Sequence, residues 1–361
     1  MTERSLRRKA SPMQRPAALV PYSDAHAFVL ARVLTLAPER VPLREALGRP
    51  LAEPITVQSP VPKAPFAARQ GIAVVSQKLI GASPYSPVFL TAPPLRVMPG
   101  DPLPPLADAV IEEQAVTTLH GIHEIGQGAY PGEGAVLPGF DLTPGDEIAA
   151  DGTSVTPAML LALTLSGAAD VAIRSPRIEL DNADGSASAE TGWLHAMLEA
   201  AGCRVAAAGA SDLRIVVCRD PSSIEPSERE TAIKGIALNP GRETRILWDG
   251  ERLTFVFSTR FEASVAGFFA LIAPALAAMT HRRLRLVERP LTAKIVSQVG
   301  LTDVVLLRAT AHGYEPLAVG ALSLRALAQA DAVGVVGSHS EGSPAGAPFS
   351  AIALKDAYEP S

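Results

Sequence analysis

Apolar positions along this chain fall into successive patterns that change period. Near the start, Ala27, Leu30, Val33 and Leu34 recur at helical spacing behind Ser23, a capping residue type, and Pro38 ends the run. A helix beginning at Asp24 is predicted. Val41-Pro-Leu-Arg-Glu-Ala-Leu47 predicts a second short helix, stopped by Gly48 and Pro50. From Ile55 to about Asp141 the period shortens: β-branched runs at 72–75, 88–90 and 109–111 alternate with Pro and Gly turns, the pattern of a small all-β unit. Thr156-Pro157 then opens a helix through Leu165, with Pro in its first turn and Gly167 at its end.

From Arg177 to about Leu286 strand and helix patterns alternate. Strands are predicted over 177–180, 204–207, 213–218 and 252–257. Helix 191–201 carries Leu194, Met197, Leu198 and Ala201 on one face and ends at Gly202. A long uncharged run at 263–280 follows. It is near the lower length limit for spanning a bilayer, but Ser264, Gly267 and Pro274 lower its apolarity and helix quality, so the expectation is a buried helix of an α/β domain. Beyond Pro290 the chain is β-rich, with strands at 293–296, 303–308 and 333–336 and a short helix at 322–329.

Composition adds bounds. A chain of 361 residues that is 47% hydrophobic can bury large cores and suggests more than one domain. Lys and Arg total 32 against 37 Asp and Glu, a net charge of −5, so no basic field would attract nucleic acid. Only 19% of residues are charged, which fits an apolar surface buried in an oligomer. Cys203 and Cys218 sit in β-like runs and read as small core residues in a reducing cytoplasm. Arg4, Arg7, Arg8, Lys9 and Arg15 precede no apolar run long enough for a secretory signal, so residues 1–21 are expected to form a flexible basic tail.

Several motifs occur in a telling order: Val41-Pro-Leu-Arg-Glu-Ala-Leu-Gly-Arg-Pro-Leu-Ala-Glu53, Gly100-Asp-Pro-Leu-Pro-Pro-Leu-Ala-Asp-Ala-Val-Ile-Glu-Glu113, Pro131-Gly-Glu-Gly, Gly139-Phe-Asp141, Pro144-Gly-Asp146 and Leu327-Ala-Gln-Ala-Asp-Ala-Val-Gly-Val-Val336. Together they resemble the MoeA-type molybdopterin molybdenumtransferases, which include the gephyrin E domain. The resemblance runs from Tyr22 to Leu354. It implies a multidomain α/β, MoeA-like elongated subunit. The implied parts are a helical linking domain (22–54 with 142–176), an inserted β domain (55–141), a contracted MogA-like α/β domain (177–286) and a C-terminal small β-barrel domain (287–357). It also implies a homodimer.

Members of that family exchange AMP for metal on adenylylated molybdopterin and release molybdenum cofactor. Such a site needs carboxylates for a cation or water, cations for phosphate and molybdate, and glycine loops that bring backbone N–H groups to oxyanions. By the resemblance, Asp141, Asp181 and Asp184 take the catalytic positions, with Asp141 also the metal position for Mg2+. Asn239, Gly241, Arg242, Arg245 and Ser264 take the molybdopterin or molybdenum cofactor contacts.

The family's polar motifs are altered here. Its Asn-Ser-Ala-Met-Asp-Gly-Tyr-Ala run corresponds to Phe66-Ala-Ala-Arg-Gln-Gly-Ile-Ala73, with Gln70 where a carboxylate should stand. Val136 and Leu137 replace arginines, and Phe140 replaces Glu beside the surviving Asp141. Asp181-Asn-Ala-Asp-Gly-Ser186 stands for Ser-Thr-Gly-Asp-Glu, and Arg219-Asp-Pro-Ser-Ser-Ile224 bridges a deleted glycine loop. Lys-Pro-Gly-Lys becomes Asn239-Pro-Gly-Arg242, and Ser258-Thr-Arg-Phe-Glu-Ala-Ser264 keeps only the serine of its motif, adding Arg260 and Glu262.

The expectation is therefore a cytoplasmic protein of molybdenum cofactor biosynthesis that binds molybdopterin or the cofactor with weakened or lost insertase activity. An active transferase, or a structural partner of a molybdoenzyme or another protein of the pathway, is the alternative. The residues leave choices open. Asp141 could hold a cation or satisfy its own turn. Arg242 could bind an anion or be a solvated hairpin charge. Arg260 and Glu262 could pair with each other. His120 and His123 lack an obvious third ligand.

Overall fold

The computed structural model describes residues 18–185, 188–206 and 209–361. The expected basic tail lies outside the described residues through residue 17, as does Ser186 of the acidic loop. The chain forms two compact units: residues 40–47 with 53–173, and the remainder.

The larger unit is built on a six-stranded sheet. Its order is Arg204–Ala206, Arg177–Asn182, Leu213–Cys218, Leu253–Ser258, Arg245–Trp248, Thr231–Ile233. The first four strands run parallel, Arg245–Trp248 pairs antiparallel to Leu253–Ser258, and Thr231–Ile233 pairs antiparallel to Arg245–Trp248. Alternation along the strands divides the faces. Ile178, Ile215, Val217, Phe255 and Phe257 join Leu194 and Leu198 of helix Ala189–Ala200 in the main core. Val216, Cys218, Leu247 and Val256 form a small core on the other face. Helix Ala189–Ala200 starts at Ser188, whose hydroxyl accepts from the Thr191 N–H, and Gly202 follows it with φ +87°.

The long apolar run is the helical stretch Phe261–Met279. Its hydrogen bonding passes through a π turn at Phe268–Ile272, just ahead of Pro274, which has no N–H to give. Among the described residues it is long and apolar enough to cross a membrane, yet 78% of its span is buried inside this fold. Mean burial of that kind belongs to a core helix.

The C-terminal β segment shares this unit. Leu238–Asn239, Thr302–Thr310, Ala332–Val336, Pro348–Ala353 and Leu286–Pro290 are neighbours in that order, with Gly313–Val319 paired to Thr302–Thr310. Val304, Leu306 and Val333 pack into the same core as Phe255 and Leu271, so the expected boundary at 286–287 does not divide the core. Helix Tyr22–Leu30 also belongs here and not with 142–176: Ala25 and Val29 are fully buried in this core, and the Tyr22 hydroxyl donates to Ala270 O at 3.0 Å. It starts already at Tyr22 after Pro21. The Ser23 hydroxyl donates to Asp24 Oδ1 instead of capping, and Leu34, beyond the helix end, is 80% exposed.

The smaller unit consists of short strands. Gly71–Val74 lies between Arg96–Val97 and Ala109–Ile111. A Cβ on Gly71 would fall 2.1 Å from Ile111 O, so only glycine fits there. Val116–Leu119 and Ile122–Ile125 form a hairpin whose turn residues, His120 and Gly121, both have positive φ. The segment predicted as helix 41–47 is divided: Glu39–Pro42 is extended and Leu43–Ala46 is a single helical turn, because a residue before proline avoids the helical region. Helix Pro157–Ser166 is as predicted, with Thr156 Oγ1 accepting from Met159 N at 3.2 Å and Gly167 at φ +87°. Thr156→Ala is expected to lower the stability of this unit by about 1 kcal/mol, read as a downward shift in thermal melting.

Candidate functional site

Strand Leu238–Asn239 is only a two-residue element, pairing parallel to Thr302 and Asp303. A cis peptide bond joins Asn239 to Pro240. Gly241 follows at φ +111°, and its carbonyl accepts from Thr244 N at 3.0 Å, closing the turn. The Arg242 carbonyl accepts from Ile236 N at 3.1 Å, which fixes the backbone of the turn while its side chain projects into solvent.

This turn forms one wall of a space of about 300 Å³. Asn239, Gly241 and Arg242 all line it, together with Glu243, Arg260, Glu262 and Gly320 to Leu322. Three of the predicted cofactor contacts are thus brought together. The charges differ in availability. Arg260 lies 3.2 Å from Glu262, whose hydrogen bond raises the Arg260 pKa further above its ordinary value. Glu243 accepts from Ser258 Oγ at 2.7 Å. The Arg242 guanidinium has no hydrogen bond or ion pair among the described residues. It is the one cation of this wall free to meet an anion.

The other predicted contacts lie elsewhere. Arg245 is 7% exposed and donates to Ile224 O at 2.9 Å, so its charge is spent on the back of the sheet. Ser264 is 0% exposed inside the helix, although its neighbour Ala263 touches the space. Its hydroxyl is buried and cannot face a ligand.

The three acidic candidates are not gathered. Asp181 ion-pairs with Arg214 at 3.2 Å. The Asp184 carboxylate accepts from Arg219 N at 2.9 Å. Asp141 is exposed in the smaller unit, and the N–H of Thr143 in its turn is bound by Asp146 at 2.7 Å instead. Among the described residues no group of three His, Cys, Asp or Glu side chains is placed to hold a metal ion. His120 serves its turn, and His123 Nδ1 is 2.8 Å from Thr118 Oγ1.

Sequence reading missed Asp303, Glu243 and Gly320. Asp303 is 3% exposed and bonded to Asn239. A lone carboxylate opening the otherwise apolar run 303–307 was the available signal, since a buried charge needs donors. A larger space of about 890 Å³ also opens in this unit beside Arg32, Trp248 and Arg252. Several of its polar groups are engaged: Arg252 by Glu179 and Ser211, Asp212 by Arg177 N, and Arg32 against the Phe28 ring.

The chain is similar to known proteins in part of its sequence and in its fold. Residues 20–167 match the family described as the MoeA N-terminal region (domain I and II). The chain is 29% identical over 177 residues to a molybdopterin molybdenumtransferase of Synechococcus elongatus, a match spanning 44% of this chain and 44% of the relative. Less than half of the relative's length is therefore matched. Two structures of the molybdopterin biosynthesis MoeA protein from Pyrococcus horikoshii superpose with TM-scores of 0.63 and 0.69 at 20% and 21% identity. Each match covers 93% of this chain and, respectively, 100% and 99% of the other. A molybdenum cofactor biosynthesis protein from Pyrococcus furiosus gives 0.56 at 18% identity, covering 93% and 100%. At these identities the structures share a fold with this chain.

Proposed function

From the premise that the chain is a MoeA-type family member, we propose that it binds molybdopterin or molybdenum cofactor in the pocket of the larger unit, with weakened or lost insertase activity. One observation carries the reading. The Asn239-Pro-Gly-Arg242 turn presents an unpaired guanidinium on a polar pocket, the arrangement needed to hold a phosphate. Reduced chemistry is supported by the engagement of Asp181 with Arg214 and of Asp184 with the Arg219 N–H. We derive no step through Mg2+: Asp141 offers a single exposed carboxylate, and a magnesium site adds phosphates and further oxygen ligands.

Purification from a cofactor-producing host, followed by oxidation and pterin fluorescence, tests the binding reading. Pterin at stoichiometric yield is expected, and its absence would overturn the proposal. The similarity to a molybdopterin molybdenumtransferase favours a second reading in which insertion survives. Complementation of a strain lacking the insertase decides between the two.

A cytoplasmic homodimer is part of the proposal. Cys203 and Cys218 are free and buried, which suits a reducing compartment. Helix Pro157–Ser166 leaves Leu161 62% and Leu165 56% exposed one turn apart, an apolar stripe that fits a partner surface. Leu161→Glu with Leu165→Glu is expected to yield a monomer in sedimentation velocity. An unchanged dimer would remove this face from the interface. A molybdoenzyme or another cofactor-pathway protein is proposed as the recipient of the bound cofactor.

A further inference from the structure

We propose that Asp303 decides what the pocket recognises, by fixing the side-chain amide of Asn239. The inference rests on the reading of the Asn239–Arg242 turn as the ligand site. Asp303 stands directly across the parallel pairing from Asn239 and is 3% exposed. Its Oδ1 accepts from Asn239 Nδ2 at 2.6 Å. Its Oδ2 accepts from Ser297 Oγ at 2.6 Å and from the Gln298 N–H at 3.3 Å. These donors allow a carboxylate to be buried at all.

The consequence falls on Asn239. Both Asp303 oxygens accept, so the amide turns its NH2 group toward Asp303. Its Oδ1 is then the free end, an acceptor on the wall of the pocket that also carries Arg242. Gly320 makes the pairing possible. It has φ +64°, and a Cβ there would lie 2.3 Å from Asn239 Nδ2 and 2.5 Å from Asp303 Oδ1, wedging the two apart.

A guanidinium beside a fixed acceptor is a poor match for a bare tetrahedral oxyanion, whose outer atoms also accept. It matches a phosphomonoester that carries an O–H or N–H next to the ester. Arg242 takes the phosphate, and the Asn239 carbonyl reads the neighbouring donor. Asp303 is thus a positioning residue for selectivity, acting through Asn239.

The full chain titrated calorimetrically with methyl phosphate and with glycerol 3-phosphate tests this, because only the second carries hydroxyl donors beside the ester. Glycerol 3-phosphate is expected to bind about fivefold more tightly, the worth of one hydrogen bond. Asn239→Ala and Asp303→Asn should each bring the ratio to about one, the latter because asparagine at 303 lets the Asn239 amide flip. The double variant should add nothing further. A merely structural Asp303 would instead weaken both ligands alike and leave the ratio intact. If Asp303→Asn fails to fold, Asn239→Ala still carries the test, since it leaves Ser297 and Gln298 on the carboxylate. A ratio of one in the wild type, or an unchanged ratio in folded Asn239→Ala, overturns the assignment. Arg242→Glu should lose both ligands. If it binds them as the wild type does, the pocket reading fails instead, whatever the ratio.

Discussion

Arg242→Glu is expected to abolish pterin retention while leaving the fold intact. The side chain is exposed and makes no hydrogen bond or ion pair among the described residues, so melting should move by no more than about 0.5 kcal/mol in equivalent stability. Binding should suffer far more. A charge-assisted hydrogen bond contributes about 1.5–3 kcal/mol, and a carboxylate in its place adds repulsion against phosphate. The combined effect is about a hundredfold or greater loss of affinity. Arg260→Gln provides the contrast. That guanidinium already pairs with Glu262 at 3.2 Å, so its removal should weaken binding only several-fold. Equal effects from the two variants would show that the pocket uses both cations alike and that the Arg260–Glu262 pair opens on binding. Wild-type pterin content in Arg242→Glu would eliminate the pocket as the phosphate site.

The contrast between Arg242 and its neighbours shows where the sequence was legible. Strand Leu213–Cys218 and helix Pro157–Ser166 were visible because a run of buried apolar residues, or a capping Thr with Pro and Gly at the ends, is a local signal. The stripe Leu194 and Leu198 was visible for the same reason. Strand Arg245–Trp248 was not: it is held by antiparallel pairing to Leu253–Ser258, and nothing within its four residues announces that partner. Which segments share a core is decided by long-range packing, which no local pattern announces. Val304 and Leu306 are separated in sequence from Phe255, and only the fold puts them in one core.

Site residues divide along the same line. The Pro-Gly turn placed Asn239, Gly241 and Arg242 together because a turn is local. Arg245, three residues on, is already in a strand, and its charge is turned to Ile224. Ser264 was assigned by motif, but helix burial withdraws it. The engagement of Asp181 by Arg214 crosses between adjacent parallel strands and is set by their register. Register is a property of the sheet and is not written in either strand alone.

Raising the pH from 9 to 12 should unfold the larger unit, and the loss should trace to buried acids that must ionise. Burial pushes the Cys203 thiol up from 9.0 to about 12, and the Tyr22 hydroxyl up from 10.0 to about 12. Burial likewise raises the Tyr358 hydroxyl. These groups are neutral in the folded state and ionise first in the unfolded chain. Their contribution is therefore complete below the unfolded values and is lost as pH climbs toward the folded ones. For Cys203 a shift of about three pH units corresponds to roughly 4 kcal/mol once titration is complete, a large share of a typical domain's stability. Arg282 sits in this cluster, 4.2 Å over the Tyr358 ring and donating to Ala201 O at 2.8 Å. Its charge favours a nearby thiolate but does not offset burial. Cys203→Ala should reduce the pH dependence between about 8 and 9, where Tyr22 and Tyr358, with ordinary values of 10.0, are still mostly neutral in both states; Cys218, which burial also raises from 9.0, keeps part of the slope. Chemical denaturation across that range provides the measurement. The same slope in Cys203→Ala as in the wild type would mean that the thiol is not the group responsible.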